Sequence, residues 1–361
     1  MKNKSNKSGK VLIIILLILI LLVAGAIVAT KMNDNNSTPV AKGEEIKQEE
    51  LPKPKVDIID INSKTRPYAL AVNNTPVAVQ VQEGLNKAYL VYEIPTEGNT
   101  SRLLAFYKDI EEDLVVGTIR SARHNFVDFA LESDAIFCCF GWSHYAKKDM
   151  QAGSIDYLQG LYGGPFYRKN PENLASEHTA YTSISKIDKA VKENKFKTTS
   201  NNTILLNYDP EDVDLSSAES VQVANTVVIP YGGYGNVTTF KYDEETKMYT
   251  RYEDDTKCKD HKTKEAVTTK NIIVQKLTYQ VCDDNYYWDL NTIGSGEGYY
   301  ITNGYAVPIT WKKSSRSGKT KYSYKTGTII DGKDVGGQEI SVSDGRTYIE
   351  VQTTSQKLTI E

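Results

Sequence analysis

Apolar and polar positions divide the chain into unlike stretches. Residues 11–29 carry no charged or polar side chain. At about 1.5 Å rise per residue that run spans roughly 28 Å, close to the hydrocarbon thickness of a bilayer. Residues 30–58 are polar and of low complexity, too poor in apolar groups to offset chain entropy, and read as a tether. The body then alternates. Residues 68–72 read as a buried strand ending in Asn73-Asn74, and 89–94 and 101–107 as two more strands joined through 95–100, a hairpin that sets Glu93 opposite Arg102. Thr118 or Ser121 is placed to cap a helix reaching about residue 133, with Ala122, Phe126, Phe129 and Ala130 at helical spacing. A short apolar strand over 135–140, a glycine-rich loop over 153–164 and a Lys-rich helix opened by Ser183 follow.

Asp209, Glu211, Asp212 and Asp214 mark an acidic boundary, beyond which short runs of Val, Ile, Thr and Tyr are separated by turn residues. The predicted organisation is a basic tail over 1–10, a transmembrane anchor over 11–29, a flexible linker over 30–58, a mixed α/β domain over 59–206, an acidic linker over 207–220 and a smaller mostly-β domain over 221–361. The expected fold class is therefore α+β, preceded by one transmembrane helix.

Charge and composition sharpen this picture. Lys2, Lys4, Lys7 and Lys10 precede the apolar run, so the N-terminus is expected inside and the body outside. Ala24-Gly25-Ala26 has the form of a signal-peptidase site, but the apolar run continues past it, which favours an anchor. No Cys follows the run to accept a lipid. The net charge of −3 gives no electrostatic support for nucleic-acid binding. With 24 Tyr against 8 Phe, the chain suits exposed strands and wet binding surfaces. Cys138 and Cys139 read as core thiols. Cys258 and Cys282 stand open between a disulfide and two unpaired thiols.

The segment from Gly117 to Arg123 carries the most chemistry. Arg120 and Arg123 near a helix start oppose the macrodipole, which suits either a bound anion or an internal carboxylate partner such as Glu93, Glu97 or Asp128. Glu93 and Glu97 have the residue types of a glycosidase acid/base pair, with a Glu93–Arg102 cross-strand pair as the structural alternative. His178, in a polar loop, is a candidate for orienting a ligand. The four His show no metal-ligand spacing, and no Walker loop, dinucleotide fingerprint or nucleophile elbow occurs. Neither metal nor cofactor is expected. Tyr286, Tyr287, Trp288, Tyr299, Tyr300 and Trp311 suit sugar stacking or cross-strand packing.

Arg66-Pro67, Asn73-Asn74, Gly84-Leu85, Ala88, Val91-Tyr92-Glu93, Glu97-Gly98, Arg102 and Arg120-Ser121-Ala122-Arg123 together resemble the YerB-like family of bacterial envelope lipoproteins. Phe166-Tyr167-Arg168, Tyr181-Thr182-Ser183, His261, residues 271–275, Gly294-Ser295-Gly296, Asn303-Gly304 and Trp311 extend the likeness over about residues 60–350. The resemblance implies a two-domain extracytoplasmic protein of Gram-positive-type bacteria, without a settled activity. By position it implies a first-domain cleft of Glu93, Glu97, Arg102, Arg120, Ser121 and Arg123, with Asn73, Asn74 and His178 completing the ligand-binding set. The chain departs from the family pattern in lacking a lipid-accepting Cys, in Val81-Gln82-Glu83-Gly84-Leu85, in Gly117-Thr118-Ile119-Arg120, and in a His replaced near Cys138-Cys139.

The expected function is that of a membrane-anchored envelope protein, binding a peptidoglycan-related ligand or a wall-active partner protein through this Arg/Glu cleft. A glycan-strand-cleaving enzyme using Glu93 or Glu97 is the alternative.

Overall fold

Large apolar side chains at alternate positions of two neighbouring strands, Leu90–Thr96 and Thr100–Tyr107, build the centre of the molecule. The computed structural model describes residues 55–232, 236–282, 284 and 286–361. The tail, the expected anchor and nearly all of the tether lie outside the described residues. Among the described residues no helix is long and apolar enough to cross a membrane.

The body is mostly β. Its four described α-helices all lie before residue 194, the longest being Ile184–Glu193 at 10 residues. An 11-stranded sheet runs in the order Gln222–Val223, Tyr305–Lys313, Gly294–Thr302, Asn271–Leu277, Thr347–Thr353, Leu90–Thr96, Thr100–Tyr107, Tyr68–Asn73, Ile136–Cys139 and Tyr157–Gln159, with Lys321–Tyr324 paired to Tyr305–Lys313. The two halves of the chain therefore share one sheet. The seam is the parallel pair of Leu90–Thr96 and Thr347–Thr353, with Val91 beside Tyr348 and Glu93 beside Glu350. The expected linker over 207–220 is packed rather than extended: Tyr208 pairs with Val342, and Leu215 and Ala218 are buried.

Period-two alternation gives the sheet two apolar faces. Ala71, Tyr92, Leu104 and Phe106 pack beneath the helices His124–Leu131 and His144–Gln151, with Tyr92 and Phe129 rings 4.8 Å apart. Leu70, Val72, Val91 and Leu103 pack against the helix Ile184–Glu193 and a second, six-stranded sheet carrying Val227, Ile229, Phe240 and Tyr249. Each such buried side chain contributes about 1.5–3 kcal/mol.

Two local expectations change. The hairpin forms, but Glu93 lies opposite Leu103 and Arg102 opposite Ile94. That one-residue slip sends Glu93 and Arg102 to opposite faces of the sheet. The helix begins only at His124, because the preceding segment spends its backbone groups on neighbouring strands. Asn73 N–H donates to Thr118 O, Arg120 N–H to Ala71 O and Phe140 N–H to Arg120 O, so the chain stays extended through Arg123.

Between the two sheets the halves are joined by a buried ionic cluster. Arg251 has no exposed surface; its Nη2 donates to Glu93 Oε2 at 2.9 Å, Glu253 Oε2 at 2.8 Å and Asn74 Oδ1 at 3.2 Å. Its Nη1 donates to the sulfur of Cys258, a buried thiol outside any disulfide. Asn74, Ser101 and Thr238 each donate to Glu93 Oε1, and Tyr231 donates to Glu350 Oε2. Three carboxylates thus crowd one guanidinium. Burial raises Glu253 to about 7 against the pull of Arg251, with Glu93 pushing the same way. Burial and Glu93 raise Glu350 well above the carboxylate range.

Arg251→Ala leaves Glu93 and Glu253 buried without their cation and is expected to cost about 3–5 kcal/mol in urea unfolding, whereas a loss below about 1 kcal/mol contradicts the cluster's role. The titration of the cluster gives a second expectation. The folded state holds a proton on Glu253 that the unfolded chain releases near 4.5. Its contribution is therefore fully present below about pH 4.5 and lost as pH rises through about 7. The urea midpoint should fall between pH 5 and pH 8, and Glu253→Gln should shrink that fall. An unchanged pH dependence in Glu253→Gln would show that another group controls it.

Candidate functional site

On the helix-covered side of the sheet, Arg102 and Arg123 gather around the Glu97 carboxylate, and Arg120 lies close enough to Arg102 to act on its charge. Arg102 opens the Thr100–Tyr107 strand, beside Asn73 in register. Arg120 and Arg123 come from the extended segment that bridges Tyr68–Asn73 and residues 140–143. Its close approach is set by Gly141, at φ +92°, where an added Cβ would lie 2.6 Å from Ser121 Oγ. Glu97 stands at the hairpin tip, between Thr96 and Thr100.

Arg123 Nε donates to both Glu97 oxygens, at 3.0 and 2.8 Å, and its Nη2 donates to Oε1 as well. Arg102 Nη2 is 3.8 Å from the same carboxylate, while its Nη1 donates to Ser121 O at 2.6 Å. Burial pushes the Glu97 carboxyl up, but the Arg123 hydrogen bonds and charge, with Arg102, outweigh it and hold it below the usual range. Burial and the Arg123 charge push Arg102 down to about 9; Glu97 opposes this and Arg120 adds to it. The cluster carries more desolvated positive charge than its one buried carboxylate balances.

Arg120 is the most open of the three. Its side chain is 24% exposed and its Nη2 is 3.4 Å from Glu177, a half-exposed residue, while its buried Nε donates to no described residue. Asn73 Nδ2 lies 2.9 Å from His178 Nδ1, so the amide donates and the ring accepts. Burial holds His178 below its ordinary value; Glu177 opposes this and Arg120 reinforces it. Ser121 Oγ donates to Phe140 O and is not free to bind.

The second half of the chain reaches into this site. A hairpin of Tyr279–Val281 and Trp288–Leu290 lies on the start of the His124–Leu131 helix: Asn125 Nδ2 donates to Trp288 O, and Leu290 N–H donates to Asn125 Oδ1. Tyr287 sits 5.1 Å from Arg123 Cζ, and its ring meets those of His144 and Tyr145. Of the residues read for sugar stacking, Tyr286 is exposed and Tyr287 and Trp288 are partly buried, whereas Tyr300 and Trp311 belong to the core.

The expected cleft is therefore divided. Arg102, Arg120, Ser121, Arg123 and Glu97 come together, with Asn73 and His178 at their margin. Glu93 and Asn74 belong to the Arg251 cluster on the other face, and Glu93 has no exposed surface to offer a substrate. Burial pushes the Cys138 and Cys139 thiols up, Cys139 to about 12, as fits core positions. Among the described residues no set of three His, Cys, Asp or Glu groups is arranged to hold a metal. Tyr287 and Glu177 as cleft neighbours, and Arg251, Glu253 and Glu350 behind the sheet, went unread in the sequence. For Arg251 and Glu253 the available signal is the alternation Tyr249, Arg251, Glu253, which places two charges in buried register.

Comparison with known proteins fits both halves. Residues 57–197 match the family described as protein of unknown function (DUF3048), N-terminal domain, and residues 227–349 match its C-terminal domain. A curated relative from Bacillus subtilis (strain 168), named "Putative lipoprotein YerB", is 30% identical over 293 residues, covering 80% of this chain and 82% of that protein. The chain belongs to this YerB-like family. The crystal structure of the YerB protein from Bacillus subtilis superposes on it with a TM-score of 0.67 at 27% identity, covering 82% of this chain and 94% of that one. The YerB-like domain boundaries thus fall on either side of the acidic segment, although both domains contribute to one sheet.

If the arginine cluster of this YerB-like protein accepts anions, phosphate stabilises the folded state by mass action. Its melting temperature should rise in phosphate relative to chloride at matched ionic strength, and Arg120→Ala should remove at least half of that rise. Equal melting curves in the two salts would leave the cluster purely structural.

Proposed function

We propose that this protein is an extracytoplasmic envelope protein that binds an anionic, peptidoglycan-derived ligand at the Arg102, Arg120 and Arg123 cleft and does not cut it. The observation that carries the reading is the imbalance of three clustered guanidiniums against one buried carboxylate, with the outermost, Arg120, partly exposed and paired with the half-exposed Glu177. Guanidinium forks suit carboxylates, which wall peptides carry in number. Tyr287 adds an aromatic surface beside Arg123.

A lipoprotein is anchored outside the membrane, and the description printed for the Bacillus subtilis relative supports the same side for this chain. The first Cys here is Cys138, inside a core strand, so in this proposal the apolar run over 11–29 supplies the anchor. The burial of Glu93 and the commitment of Glu97 to Arg123 weigh against the glycan-cutting alternative, because an acid/base pair must reach the scissile bond.

The test incubates the body from Lys55 onward with purified sacculi, assays the pellet for protein and examines the supernatant by mass spectrometry. Retention without released muropeptides is expected. Arg120→Ala should weaken retention about five- to twentyfold, the loss of one charge-assisted contact. Glu97→Gln, which removes the competing carboxylate, should retain or strengthen it. Released fragments that vanish in Glu97→Gln would replace this reading with an enzymatic one, and no retention would remove the wall ligand.

A further inference from the structure

A separate cavity of about 620 Å³ opens at the edge of the first half, within the size range of small-ligand sites. Three aromatic rings line it. Trp142 meets Tyr157 edge-on at 5.9 Å and lies 6.3 Å from Tyr162 at an interplanar angle of 56°. Tyr162 is 80% exposed, a large ring held out in solvent at an apolar cost. It precedes Gly163 and Gly164, at φ +109° and +106°, so the loop turns back with no side chain to fill the space beneath the ring.

The floor is polar. Gln159 ends the edge strand Tyr157–Gln159, and its Oε1 accepts from Leu161 N–H, which fixes the amide. The residue lines the cavity, while its Nε2 is buried beneath the surface and donates to no described residue. The opposite wall is the helix Ile184–Glu193. Its Lys189 and Glu193 are 3.9 Å apart, and Lys186 joins them on the wall, which is therefore weakly basic rather than strongly charged.

Aromatic faces above a polar floor, with a rim that carries at most one unbalanced charge, suit a flat molecule that is apolar on its faces and hydroxylated at its edge. We propose that this cavity is a carbohydrate subsite, in which a pyranose ring stacks on Tyr162 and Trp142 above the Gln159 side chain. The subsite stands independently of the arginine cleft.

The test is calorimetric titration of the full chain with tri-N-acetylchitotriose, cellotriose and maltotriose to millimolar concentration, with tryptophan emission followed in parallel. Saturable binding of at least one probe is expected, with a blue shift that disappears in Trp142→Phe while heat is still released. Tyr162→Ala, an exposed change that leaves the fold intact by circular dichroism, should weaken binding about tenfold. Gln159→Leu should weaken it severalfold, and Arg120→Ala should leave it unchanged. Absence of binding to all three probes overturns the subsite, as does binding that survives Tyr162→Ala. Binding lost in Arg120→Ala instead moves the sugar to the arginine cleft and also overturns it, while the sacculus assay above stands or falls by itself.

Discussion

One guanidinium holds the two halves in register. Arg251 belongs to the second half, and it donates across the boundary to Glu93 and Asn74 of the first. Desolvating that many charges is costly, and the cluster is stable only while all of its partners stay in place. Its geometric effect reaches further than its energy. Glu93 and Glu97 lie on the same hairpin arm, so fixing Glu93 beneath the second sheet also fixes the tip that carries Glu97 to Arg123. The seam with Thr347–Thr353 and the ties from Asp344 to the backbone of Asp57 and Ile58 reinforce the same alignment.

The sheet also sorts charge. The Arg251 cluster holds an excess of carboxylates on one face and the Arg102, Arg120 and Arg123 site an excess of guanidiniums on the other, although Glu93 and Arg102 sit on neighbouring strands. A layer of fully buried Leu, Val, Tyr and Phe side chains separates them and keeps each population from neutralising the other. The acid-rich face is sealed between two sheets and adjusts by holding protons. The arginine-rich face lies at the margin of the helical layer, where Arg120 meets solvent and an external anion can do what protons do on the other side.

Much of this was legible along the chain, and the failures have physical causes. The strands around Asn73, Glu93 and Arg102 show themselves through alternation and a turn-rich connection. Their register does not, because Glu97, Gly98 and Asn99 close the hairpin in three residues where the turn residues permit a longer loop, and one residue of slip reverses every side chain. Arg120 and Arg123 stand out because arginine is misplaced at a helix start. Their segment is in fact strand-like, and both meet carboxylates within the chain, Arg123 at Glu97 and Arg120 at Glu177. Arg251 is marked only by sharing the alternation of Tyr249 and Glu253, and that pattern does not say that a second sheet covers the face. The acidic stretch after residue 206 lies between the two ranges that match the family domains. It cannot reveal that the domains share a sheet, since pairing between residues 90 and 347 leaves no trace in local composition.

That shared sheet sets an order of events for a chain made from its N-terminus. Until residues 347–353 arrive, the Leu90–Thr96 strand presents an open, apolar edge with unpaired backbone groups, the kind of edge that recruits other chains. The nascent protein is therefore most exposed to misassembly and proteolysis while it is almost complete, and the final stretch of sequence works as a closing bolt. Loss of the strand Thr347–Thr353 would unpair both of its neighbours, Leu90–Thr96 in the first half and Asn271–Leu277 in the second.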